Sequence, residues 1–158
     1  MANEIADIIG EPHYRDRAPL LDVFYKTFYN PECHLFRDGE NTEHISIVGN
    51  SFPYAFELFP DCEFAPAFEQ MLDERMISSM SLFCAFLSLM GLVRRGRWDK
   101  VKEQLLDEGA WLRIIREGGT TTFEGWGRDT KWNTSLFHLT MSYAAVFMVD
   151  KDIDSILK

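Results

Sequence analysis

Three segments of this chain are apolar on nearly every side of a helix, and each follows a segment that is apolar along one stripe. A helix hydrophobic all round must be covered on all sides, whereas a striped helix does the covering and faces water. "HYRDRAPLLDVFYKTFYN" (13–30) is striped through Tyr14, Ala18, Leu21, Tyr25 and Phe28, and Asn30-Pro31 stops it. "HISIVGNSFPYAFELF" (44–59) is apolar almost throughout, with Pro53 bending it or marking its first turn. The alternation repeats. "FAPAFEQMLDE" (64–74) is short and amphipathic, and "SSMSLFCAFLSLMGLV" (78–93) is apolar all round. "RWDKVKEQLLDEGAWLRIIRE" (97–117) is striped through Val101, Leu105, Leu112 and Ile115. "NTSLFHLTMSYAAVFMV" (133–149) is again apolar on all faces, with Asn133 or Thr134 as its N-cap. Only "CHLFRD" (33–38) carries an extended pattern.

This order predicts an all-α fold in one domain over 1–158. Three αα-hairpins, each pairing an outer helix with an inner one, satisfy it, giving a partial (α/α)6 toroid or a solenoid arc. In such an arc every outer-to-inner loop emerges on the same rim. Two of these loops, 31–43 and 118–132, are long, and long loops in compact domains carry function more often than short ones. One decorated rim is therefore expected, bearing "RDGENTEH" (37–44) and "GGTTTFEGWGRDTKWN" (118–133) together.

Composition narrows the partners. A hydrophobic content of 46% excludes disorder. The net charge is −9 and the densest basic cluster is only Arg94, Arg95 and Arg97, so nucleic acid and anionic membrane are not expected as partners. A neutral small molecule is easier to accommodate. The three cysteines have no CxxC spacing, a reduced, cytoplasmic pattern, and Cys84 reads as a core filler. Residues 1–10 lack a signal-peptide pattern, and the most apolar stretch, 80–93, is too short to span a membrane. His13, His34, His44 and His138 show no metal-binding spacing, so neither metal nor other cofactor is expected.

Glu124 is the strongest candidate for chemistry. Lying between Phe123 and Trp126, it is expected to be partly desolvated, which raises a carboxylate's pKa and suits acid/base work. Aromatic rings beside a carboxylate also suit the apolar face of a sugar. The plainer reading is a loop glutamate satisfied by backbone N–H groups. Ser135 and His138, at i and i+3, are expected on one face of the last buried helix, as cavity or core residues. In "DGENTEH", Asp38 and Glu40 read as turn and capping residues, while Glu43 and His44 stand where the rim meets an inner helix.

The text "GGTTTFEGW" after "WLRIIRE", followed by "SLFH", resembles the α-L-rhamnosidase family, and "TEHISIVGN" after "LFRDGE" resembles a preceding part of that family's catalytic domain. The similarity runs over about residues 2–149 and corresponds to the C-terminal half of an (α/α)6 toroid. The resemblance implies an inverting glycoside hydrolase acting on terminal α-L-rhamnosides. It implies Glu124 as general base, Trp126 as a sugar-facing aromatic and His138 as a cavity-facing polar residue; Trp132, His44 and Glu43, on the same expected rim, are further candidate substrate-binding residues, and Glu43 or Glu40 is the in-chain candidate for the acid. The family's general acid lies in the half with no counterpart here, which leaves three expectations open: a fragment of a longer protein, a pairing with a second copy or a separate N-terminal half, or a degenerate, non-catalytic relative. The alternative is a non-catalytic α-helical module that binds carbohydrate or protein through the same rim.

Overall fold

The computed structural model describes residues 2–13 and 16–149, so Tyr14 of the first stripe lies outside the described residues. Within them the chain is mostly helical. In order it forms α1 (Ala2–Ile9), α2 (Ala18–Phe28), β1 (Tyr29–Asn30), β2 (Leu35–Phe36), α3 (Ile47–Phe56) and α4 (Phe64–Arg75). A 3-10 turn at Ile77–Ser79 leads into α5 (Leu82–Arg94), α6 (Trp98–Leu105) and α7 (Trp111–Arg116). A second 3-10 turn at Leu139–Tyr143 precedes α8 (Ala144–Val149). No described helix is long and apolar enough to cross a membrane.

Burial separates α3 and α5 from α2 but does not extend to the third apolar segment, in which Phe137, Leu139 and Met148 are 68%, 63% and 69% exposed. Ten of the thirteen residues of α5 and six of the ten of α3 are buried, whereas α2 buries none of its residues. The C-terminal turns of α3 and α5 meet so closely that a Cβ on Gly91 would lie 2.4 Å from the Tyr54 ring. Glycine is required there by space. Arg94 adds a hydrogen bond of 2.7 Å to the Ala55 carbonyl. Cys84 is buried beside Ala85 in this core.

The buried polar residues Asn50, Ser51, Glu69, Ser88, Gln104 and Asp107 are all hydrogen-bonded, whereas the buried Nε of Arg37 has no hydrogen-bond partner. Asn50, fully buried on α3, accepts from the Phe36 N–H at 2.7 Å and donates to the Phe36 and Ser46 carbonyls at 2.9 Å. That fastens β2 to the first inner helix. Glu69 on α4 is 4% exposed, accepts from the Tyr54 hydroxyl at 2.8 Å and pairs with Arg97. Burial, followed by the Glu69 charge, pushes the Tyr54 hydroxyl pKa up.

Two helices differ from the stripe reading. The segment 97–117 is not continuous: α6 ends at Leu105 and α7 starts at Trp111. The buried Asp107 makes the break. Its Oδ1 accepts from the Gly109 N–H at 2.8 Å and its Oδ2 from the Ser78 N–H at 2.9 Å, tying the kink to the 3-10 turn. The segment 133–149 is helical only in its last part, so Asn133 and Thr134 cap nothing and Ser135 and His138 do not share a helix face. Residues 135–138 are instead drawn out to pair with residues 122–124. "CHLFRD" is extended only at Leu35–Phe36, which pairs antiparallel with Tyr29–Asn30. α1 is an element the stripe pattern left unassigned.

Candidate functional site

The segment after α7 is a loop braced at several points. Arg113 Nε donates to Glu117 Oε1 at 2.7 Å, and the same guanidinium pairs with Asp129. The Arg128 N–H donates to Glu117 Oε2 at 2.8 Å and is the first cause holding the Glu117 carboxyl below its ordinary range. The loop passes so near Arg113 that a Cβ on Gly127 would stand 2.5 Å from the guanidinium carbon. Phe123 is buried, with the Arg128 guanidinium 5.7 Å over its ring.

A short zipper then joins 122–124 to 135–138. The Glu124 N–H donates to the Ser135 carbonyl at 2.9 Å and the His138 N–H to the Thr122 carbonyl at 2.8 Å. Thr122 Oγ1 donates to the His138 carbonyl at 2.7 Å. The Glu124 side chain completes the set: Oε2 accepts from the Ser135 N–H at 3.1 Å and Oε1 from Lys131 Nζ at 2.6 Å. The carboxylate is half-buried with both oxygens engaged.

That changes its electrostatics from the sequence expectation. Lys131, then the Ser135 N–H, hold the Glu124 carboxyl below the ordinary glutamate pKa, and the smaller rise from burial does not offset them. Desolvation beside Phe123 and Trp126 therefore loses to a neighbouring ammonium. His138 is held beside this pair by its backbone bonds to Thr122.

The aromatic residues divide. Trp126 is 8% exposed, its indole N–H donates to the Met80 carbonyl at 2.7 Å, and its ring meets Trp111 edge-on at 4.8 Å. It is a structural peg beneath the loop, with little of its surface left exposed. Trp132, at 97% exposure, stands free on the same loop.

His44 and Glu43 belong to the other loop, built around Asp38. Asp38 Oδ2 meets His44 Nδ1 at 2.6 Å, while Oδ1 accepts from the Ser46 N–H and hydroxyl at 3.2 and 2.8 Å. Ser46 caps α3 by accepting from the Gly49 N–H at 2.9 Å, so Asp38 supports a cap rather than forming one. Burial raises the Asp38 pKa, but Ser46 and His44 together outweigh it and leave it lowered. Glu43 is largely exposed and pairs with Arg37 at 3.3 Å. No hydrogen bond or ion pair among the described residues joins 37–46 to 118–138, and no second carboxylate bonds to the Glu124 group.

Sequence reasoning missed Lys131 as the partner of Glu124 and Asp38 as the hub of the first loop. Neither carries a periodic signal, because both contacts form within irregular turns. No protein-family model, curated protein or solved structure matches this chain.

Proposed function

We propose that this chain contributes the general-base part of a glycoside hydrolase of the α-L-rhamnosidase type, with its helices forming part of an (α/α)6 toroid. Glu124 is the base in an inverting hydrolysis, His138 and Trp132 lie beside the sugar, and a second set of helices supplies the acid. One observation carries the reading: Glu124 is a carboxylate kept ionised at neutral pH, grouped with Lys131 and His138 in a braced surface loop. A general base must be ionised and held in place before it can take a proton from water. The two degrees of burial, high in α3 and α5 and low in α2, suit inner and outer layers.

An aryl α-L-rhamnoside with a p-nitrophenyl leaving group tests the base without the acid, since p-nitrophenolate departs without needing a proton. The expected result is nitrophenol release that Glu124→Gln lowers by about 100- to 10,000-fold with the fold retained. Release no faster than that of Glu124→Gln, at every protein concentration, sinks the proposal.

A second reading, a non-catalytic helical module, is favoured by one specific feature. Both Glu124 oxygens already have partners, Lys131 and the Ser135 N–H, rather than being turned toward a water. On that reading Glu124→Gln leaves sugar or protein binding unchanged.

A further inference from the structure

A cavity of about 390 Å³ lies between α7, the threonine segment and the second 3-10 turn, with Trp111, Ile114, Ile115, Thr121 and Leu139 in its walls. It adjoins a second cavity of about 240 Å³, with which it shares Trp111, Ile115, Thr122 and Ser142. The first cavity alone is in the size range of small-ligand sites. Neither has a charged residue in its lining, although 26% of the chain is charged. A charged ligand would find no counterion there, so the occupant is neutral.

The walls are apolar and exposed: Ile115 and Leu139 leave 64% and 63% of their surface to water. Trp111 is fixed in place. Its indole N–H donates to the Met141 carbonyl at 3.4 Å, and Trp126 and Tyr143 meet its ring edge-on at 4.8 and 5.6 Å. The aromatic wall of the cleft is therefore formed before any ligand arrives.

Polar capacity is small and specific. Thr122 and Ser142 spend their hydroxyls on the His138 and Leu139 carbonyls. The Thr120 and Thr121 hydroxyls make no hydrogen bond to the described protein. A sugar, with a hydroxyl on most carbons, would leave most of them unpaired against Ile and Leu, each at a cost of about 1–3 kcal/mol. A flat aromatic ring with one or two hydroxyls matches both the apolar walls and the two free threonines.

We propose that this cleft binds a small neutral phenolic compound, its ring against Trp111 and Ile115 and its hydroxyl on Thr120 or Thr121. On the reading of the preceding section, which the cleft itself does not need, such a compound is the aglycone side of a glycoside.

Titration of the full chain with resorcinol, followed by amide NMR shifts, tests this, with benzoate and L-rhamnose as charged and polyhydroxylated controls. Expected are saturable shifts confined to about residues 111–122 and 139–145, with neither control giving saturable shifts in those segments. Ile115→Arg, at an exposed position the fold tolerates, should weaken binding about tenfold or more, and Thr121→Val should weaken it severalfold. Resorcinol binding is read without any hydrolysis, so failure of the hydrolase reading and failure of this one are told apart. The proposal is overturned by non-saturating shifts, by shifts centred elsewhere, by equal binding of benzoate, or by an Ile115→Arg variant, folded by its NMR spectrum, that binds as before.

Discussion

A glutamate between two aromatic rings has two opposed forces on its pKa, and Glu124 shows which one wins when a lysine is in reach. The aromatic neighbours are legible in "TTTFEGWG", but Lys131 is seven residues away in a segment with no regular period, and its contact exists only because the loop turns back at 131–134. Hence the residue was identifiable from sequence and the sign of its shift was not. A carboxyl held low is ionised from below its ordinary value upward, so a carboxyl-carbon titration should place Glu124 below 4.5. Lys131→Met should move that midpoint up by removing the largest lowering cause. An unchanged midpoint would refute the pairing. Trp126 makes the complementary point: the sequence marks it as aromatic and cannot say which way it faces. Trp126→Phe removes the donor to Met80 and leaves that carbonyl unpaired, a loss of about 1–3 kcal/mol in denaturant unfolding. Ligand affinity at the loop should stay the same, whereas a sugar-facing tryptophan would lose affinity instead.

Among the elements, periodicity read well where a helix is stabilised by its own stripe and poorly where distant groups intervene. The segments 64–74 and 78–93 correspond closely to α4 and α5, because their apolar residues pack into one core. The segment 97–117 breaks because Asp107 bonds across to Ser78, a contact with no signature in local sequence beyond Gly109. The segment 133–149 gives up its first half to the pairing with Thr122 and Glu124, an instance of tertiary contacts overriding propensity. The start of α3 depends in the same way on Asp38, through Ser46. Ser46→Ala should cost about 1 kcal/mol, as lost N-caps do. The Asp38 pKa is depressed from 3.8, so its support is full above that value and is lost as pH falls through the lower, folded value. The protection of the Gly49 amide, taken relative to its intrinsic exchange rate at each pH, should therefore fall in acid well before the core of α5 opens. In Asp38→Asn it should be low already at neutral pH. Protection at Gly49 that is insensitive to both changes would remove Asp38 from the cap.

At the scale of the molecule, the inner-type helices bury most but not all of their apolar surface. On α3, Val48, Phe52 and Phe56 recur every four residues and so form one stripe, with Val48 43% and Phe52 50% exposed. The Phe52 and Phe56 rings meet tilted at 4.7 Å, and the Arg94 guanidinium sits 5.7 Å over the Phe56 ring. The sequence foretold a helix apolar on almost every side, and the described chain covers only some of those sides. A contiguous apolar stripe facing water favours association, because burying it removes that surface from solvent. Light scattering across a concentration series should therefore show the mass rising above that of one chain. Phe52→Glu should return the mass to 18.4 kDa without loss of thermal stability, since the side chain is half exposed before substitution. A wild-type chain that stays monomeric throughout would mean that the stripe is tolerated as surface and that no second set of helices is needed to cover it. If association is seen and Phe52→Glu abolishes it, then nitrophenol release that falls in parallel would tie the Glu124 reaction to the assembled form.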